Sequence, residues 1–128
     1  MEYIKSSKIS MYNYILEEKE VLLNLLNNRN EIAGEFSKQY ANRTISEIII
    51  SGSGTSAYAA IAAQPFLEKA LNVKVCIEYP VLFTDTGRIF HPNNTIFIGV
   101  SQTGQSRSTI EALRKAKRLG AFTVAISE

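Results

Sequence analysis

Two short turns hold most of the side chains in this sequence that could do chemistry. One is Gly52-Ser53-Gly54-Thr55-Ser56, the other Ser101-Gln102-Thr103-Gly104-Gln105-Ser106. Both are rich in hydroxyls, with glutamine amides in the second, and only Arg107, just past it, adds a cation. Hydroxyls and amides ionise too far from neutral pH to serve as general bases. They suit anion binding instead, together with backbone N–H groups and the positive end of a helix dipole. A phosphomonoester on a polyol fits that chemistry, with a doubly charged head and several hydroxyls.

Each turn needs a strand before it and a helix after it. Ile96-Phe97-Ile98-Gly99-Val100 is a short β-branched and aromatic run bounded by Asn93-Asn94 and Gly104, and it reads as a buried strand. Beyond the second turn Ile110, Leu113, Ala116 and Leu119 recur at helical spacing. Glu111 and Lys115 are placed for an i,i+4 pair there, and Gly120 is a stop. Ile45–Ser51 is the strand before the first turn, and an Ala-rich helix from Ala57 to Leu71 follows it, with a kink or restart expected at Pro65. Val73–Glu78 and Phe122–Ile126 complete four strands. Pro80–Pro92 is a connection with room for one helical turn.

The order of elements implies an α/β fold, a doubly wound parallel sheet with right-handed crossovers. Near-continuous apolar strands agree, since such strands are covered on both faces. Two helices precede it, Ile9–Leu26 and Glu31–Arg43, giving helices over residues 1–44 and the sheet domain over 45–128. The sequence leaves open whether those helices cap the domain or pack on a partner chain. A doubly wound domain ordinarily continues past a fourth strand, so the expectation is a domain truncated after strand four.

Gly52-x-Gly54-x-x-Ala57 also matches a dinucleotide fingerprint, with Glu78 placed where a ribose-binding acid would stand. A plain tight turn would use the same glycines. The second turn discriminates. In a flavodoxin-like strand order, 2-1-3-4, both turns flank one crevice; in the Rossmann order the Ser101 turn has no phosphate to meet. The bland reading of that second turn is capping. Ser108-x-x-Glu111 has capping-box spacing, and Ser106 could cap as well, which still leaves Ser101, Gln102, Thr103 and Gln105 unexplained. His91 reads as solvent-exposed, Tyr12, Tyr14 and Tyr40 as packing helix faces, and Asp85 and Arg88 as serving their loop, with Arg88 within reach of the pocket mouth.

Composition sets the outer bounds. At 128 residues the chain is one domain or part of one and can bury roughly two thirds of its unfolded surface. A hydrophobic fraction of 45% and a charged fraction of 20% are those of a soluble globular protein. A net charge of +2, with scattered basic residues, gives no footprint for nucleic acid. Cys76 lies in an apolar run and reads as a buried structural thiol; one cysteine allows no internal disulfide, which fits a reducing cytoplasm. No signal-peptide-like start and no apolar run near about 18 residues is present, so neither secretion nor a membrane span is expected.

The paired turns resemble those of the SIS (sugar isomerase) domain family, especially the isomerase half of glucosamine-6-phosphate synthase and related fructosamine-phosphate deglycases. The similarity runs from the N-terminal helices to Glu128. It implies ligand roles for Ser56, Ser101, Gln102, Thr103 and Ser106, with Gly54 and Thr55 shaping the first turn. Thr103 stands where that family usually has Ser, Gln105 where it has Glu or a variable residue, and Ser106 where it has Thr. The resemblance further implies a homodimer and no cofactor, and a second domain or partner subunit that supplies the acid/base glutamate, ring-opening histidine and lysine. On that basis this chain binds a hexose or amino-hexose phosphate and by itself catalyses nothing. Glu78, Asp85 and His91 are its nearest candidate bases. A nicotinamide-dependent oxidoreductase and a sugar-phosphate-sensing regulatory module are the rival functions.

Overall fold

The computed structural model describes residues 11–128. Ile9, at the start of the first expected helix, lies outside them. The chain divides into two compact units, one ending at Asn42 and the other spanning Arg43–Glu128.

The first unit is a helical pair, α1 (Met11–Asn27) and α2 (Arg29–Ala41). The Asn27–Asn30 cluster breaks the two, as its composition suggests. Arg29 Nη1 donates to the Leu26 carbonyl at 2.7 Å and Asn28 Nδ2 to the Asn24 carbonyl at 3.0 Å, which satisfies acceptors at the end of α1. Neither helix buries a residue. Tyr40 lies against Phe36, with ring centroids 6.0 Å apart, whereas Tyr12 and Tyr14 are exposed rather than packed on a helix face.

The second unit is the doubly wound sheet. Its strands are β1 (Glu47–Gly52), β2 (Lys74–Glu78), β3 (Thr95–Val100) and β4 (Phe122–Ile126). All pair in parallel in the order β2-β1-β3-β4. β1 and β3 are therefore neighbours, as in the flavodoxin-like arrangement. Helix α3 (Thr55–Leu71) links β1 to β2, α4 (Pro80–Thr86) leads from β2 towards β3, and α5 (Arg107–Arg118) links β3 to β4.

Strand alternation divides the core between two faces. Ile49 and Phe97 join Phe83 of α4 and Ala112 and Ala116 of α5 in one cluster. Phe83 and Phe97 meet at 4.6 Å between ring centroids; burial of each is worth roughly 1.5–3 kcal/mol over exposure. The alternate strand residues, Ile48, Ile50, Ile96 and Ile98, are buried on the other face. Helix α3 is tied to the edge strand: Gln64 Nε2 donates to the Val75 carbonyl at 2.8 Å, and the Val75 N–H donates to Glu68 Oε1 at 3.1 Å.

Several local details depart from expectation. Helix α3 runs through Pro65 without restarting; Pro65 offers no N–H to the Ile61 carbonyl one turn back, and Ile61 is 45% exposed. The connection after β2 holds a seven-residue helix rather than one turn, started by Pro80 at its first position. Glu111 pairs with Arg114 at 2.7 Å rather than with Lys115. Lys115 Nζ instead donates to the Phe83 and Thr84 carbonyls, at 2.8 and 3.0 Å, and so ties α5 to the last turn of α4. Cys76 is half-buried rather than buried, with its thiol 3.8 Å from Glu47 Oε1.

Candidate functional site

The first turn is shaped by its glycines. Gly52 closes β1, where a Cβ would stand 3.0 Å from both Ser56 Cβ and the Val100 carbonyl oxygen, so a side chain would crowd both α3 and β3. Gly54 has φ +56°, ψ −129°, a conformation that disfavours any other residue. Gly54 is also the N-cap of α3 and makes no side-chain cap bond. Packing and backbone geometry thus account for both glycines of the apparent dinucleotide fingerprint.

The second turn is held by hydrogen bonds. The Ser101 N–H donates to the Ile126 carbonyl at 3.0 Å and the Gly104 N–H to the Ser101 carbonyl at 3.3 Å. The Gln105 N–H reaches Thr103 Oγ1 at 3.3 Å. Ser106, not Ser108, occupies the N-cap of α5, and its side chain makes no cap bond to the helix backbone. Its hydroxyl accepts from buried Thr109 Oγ1 at 3.1 Å and lies 3.3 Å from Ser108 Oγ. The capping-box reading of Ser108 fails because the helix begins one residue ahead of it, at Arg107.

Since β1 and β3 are adjacent and parallel, both turns emerge at the same end of the sheet. A cavity of about 240 Å³ lies between them, lined by Ser53, Thr55, Ser56, Val100, Ser101, Gln102, Thr103 and Ser106. A second cavity of about 350 Å³ shares Thr55, Ser56, Val100, Ser101 and Gln102 and adds Ala59, Ile126, Ser127 and Glu128. Six of the seven residues singled out in the sequence line the smaller cavity; Gly54 does not, and shapes the turn beside it. Gln105, Arg88 and Arg107 line neither cavity, nor do Glu78, Asp85 or His91. Glu78 ends β2, on the far side of β1 from β3.

Ser53 and Glu128 are lining residues that the sequence reading passed over. Ser53 sits inside a motif already singled out, so its hydroxyl was in view. Glu128 follows β4, which the expected strand order already set beside β3, and its N–H on the Gln102 carbonyl brings it against the turn.

The arrangement is chemically one-sided. The smaller cavity carries six hydroxyls and a glutamine amide, with no carboxylate, ammonium or guanidinium group among its lining residues. The N-termini of α3 and α5, helices of 17 and 12 residues, stand at its turns without side-chain caps. Each adds about half a positive charge and unpaired N–H donors. Among the described residues no group of three or more His, Cys, Asp or Glu is placed to hold a metal, and no helix is long and apolar enough to cross a membrane.

Comparison with known proteins places this geometry in context. No family model matches the chain. It is 32% identical over 107 residues to a glutamine–fructose-6-phosphate aminotransferase (isomerizing) of Campylobacter jejuni, covering 84% of this chain and 18% of that protein. The protein of the same name from Thermotoga maritima is 30% identical over 124 residues, 91% of this chain and 20% of the relative. The chain thus spans about a fifth of the length of these curated relatives. Among solved structures, a candidate phosphosugar isomerase of Clostridium difficile matches with a TM-score of 0.80 and 30% identity, over 91% of this chain and 32% of that one. The C-terminal domain of glucosamine-fructose-6-phosphate aminotransferase from Francisella tularensis matches with a TM-score of 0.61 and 26% identity, over 66% of this chain and 24% of that one. In sequence and in fold, the chain resembles the SIS (sugar isomerase) domain family.

Proposed function

We propose that this chain binds a hexose or amino-hexose phosphate in the crevice between β1 and β3, as the N-terminal portion of a sugar-phosphate isomerase or deglycase. The observation that carries the proposal is the convergence of six hydroxyls and two uncapped helix N-termini on one cavity free of carboxylates. Such a cradle matches a doubly charged phosphate, and its glutamine and remaining hydroxyls match a polyol. Aldose–ketose isomerisation also needs a base within hydrogen-bond reach of the C1–C2 protons, and the cradle supplies none. We assign that chemistry to groups outside this chain. The reading as a dinucleotide enzyme is weaker, since packing explains Gly52, a positive φ explains Gly54, and the strand order sets the two turns on neighbouring strands.

Calorimetric titration with fructose 6-phosphate, glucosamine 6-phosphate and NAD tests the proposal. Saturable binding of either sugar phosphate and none of NAD is expected, with no exchange of the C2 proton in deuterated water. Binding of NAD alone would hand the site to the oxidoreductase reading. We further propose a homodimer in a reducing cytoplasm. The exposed Ile15, Leu16, Leu22, Leu23 and Leu26 of α1 support the first, and the lone, unbridged Cys76 supports the second.

A further inference from the structure

We infer that Glu128 gives the crevice its polarity and restricts it to sugar monophosphates, against bisphosphates. The inference rests on the phosphosugar reading above and deepens it. The two cavities form a continuous pair, sharing Thr55, Ser56, Val100, Ser101 and Gln102. The smaller one holds neutral donors only. The larger has apolar walls at Ala59, Val100 and Ile126, and Glu128 is its one charged lining residue. A phosphate belongs in the first, where helix N-termini and hydroxyls meet it. The rest of the ligand then extends towards the second and the carboxylate.

The backbone of Glu128 is fixed with respect to the cradle. Its N–H donates to the Gln102 carbonyl at 3.0 Å, and the Ser101 N–H donates to the Ile126 carbonyl at 3.0 Å. The end of β4 is therefore tied on both sides to the turn that forms the cradle. Ser127 packs beside Gly104, 3.5 Å from where a Cβ on that glycine would stand. Neither ion pair found among the described residues involves Glu128, and no cation lines either cavity to offset it. A ligand whose far end carries hydroxyls or an ammonium group meets an acceptor there. A second phosphate meets a like charge, and with either phosphate in the cradle the other faces Glu128.

Titration of the full chain with fructose 6-phosphate and fructose 1,6-bisphosphate, at low ionic strength, tests this in the wild type, Glu128→Gln and Glu128→Lys. Residue 128 is exposed, so both substitutions leave the fold in place, which circular dichroism checks. The ratio of the bisphosphate Kd to the monophosphate Kd should fall by roughly fivefold in Glu128→Gln, the factor for a carboxylate and a doubly charged group about 8 Å apart in water. It should fall further in Glu128→Lys, and both falls should shrink with added salt. A ratio unchanged in both variants, with the monophosphate still bound, overturns this inference alone. Failure of the wild type to bind either sugar overturns the phosphosugar reading and this inference with it.

Discussion

The two ends of the sheet treat their polar groups in opposite ways. At the N-terminal end Lys74, Glu47 and Thr95 stand side by side on three strands and bond one another or the adjacent loop. Lys74 Nζ lies 3.2 Å from Glu47 Oε1, and Thr95 Oγ1 donates to the His91 carbonyl at 2.9 Å. Asn94 Nδ2 reaches the Thr44 carbonyl at 2.6 Å. At the C-terminal end, Ser53, Ser56 and Ser101 line a cavity, and two helices begin without side-chain caps. Even Ser51, fully buried at the end of β1, has a hydroxyl with no partner. A fold gains stability by pairing buried polar groups inside the chain. An end that leaves donors open is arranged for something the chain does not itself contain.

The largest effect expected from this contrast is on affinity. Ser101→Ala and Thr103→Ala should each weaken sugar-phosphate binding by about 1.5–3 kcal/mol, the range for hydrogen bonds to a charged group. The denaturation midpoint should hardly move for Ser101→Ala, because no other group among the described residues uses that hydroxyl. Calorimetry and urea unfolding on the same samples make the test. A large loss of stability with affinity intact would erase the distinction between the two ends.

Ser106 sharpens the comparison, because it serves both purposes. It lines the cavity and also accepts the hydrogen bond of Thr109, a hydroxyl only 2% exposed. Ser106→Ala strands that hydroxyl and should cost about 1–3 kcal/mol of stability besides weakening binding. Ser108→Ala, which the spacing with Glu111 made the expected cap mutant, should stay within about 0.5 kcal/mol. Thermal unfolding of the two variants decides it, and a larger loss at Ser108 would restore the capping-box reading.

How much of this was legible follows from the kind of signal each feature leaves. The strands, their order and the shared crevice were readable because apolar runs and turn chemistry are local, and two similar turns constrain the topology. Ser106, Thr103 and Gln102 could be singled out because hydroxyls and amides crowd there beyond what one cap requires. What escaped was set by tertiary neighbours. Lys115 turns away from Glu111 because the carbonyls at the end of α4 lie within its reach, and nothing within α5 reports that. Helix α4 is too short for periodicity to reveal. The place of β4 beside β3 was in the expected strand order, but Glu128 enters the site through a contact beyond the strand, its N–H on the Gln102 carbonyl, which no local pattern reports.

The smallest effect lies at the N-terminal end and concerns pH. Burial, the leading cause, pushes the Cys76 thiol above its ordinary range. A hydrogen bond to Glu47, ahead of the nearby thiol, holds the Lys74 ammonium above its own. In both groups the folded chain favours the protonated form. Each contribution is therefore complete below the unfolded-state pKa and is lost as pH rises through the folded-state value. The window is alkaline, from about pH 8.5 for the thiol and about pH 10.4 for the ammonium, and acidification towards neutral costs nothing here. Urea midpoints should decline between about pH 8 and 10, with a shallower decline in Cys76→Ala, which removes the thiol. Sugar-phosphate affinity should be the same in Cys76→Ala and wild type at any one pH, since the residue lies midway along the edge strand β2 and lines neither cavity. Parallel declines in the two proteins would mean that the Cys76 thiol contributes nothing to this pH dependence, and a change in affinity would mean that the two ends are not independent.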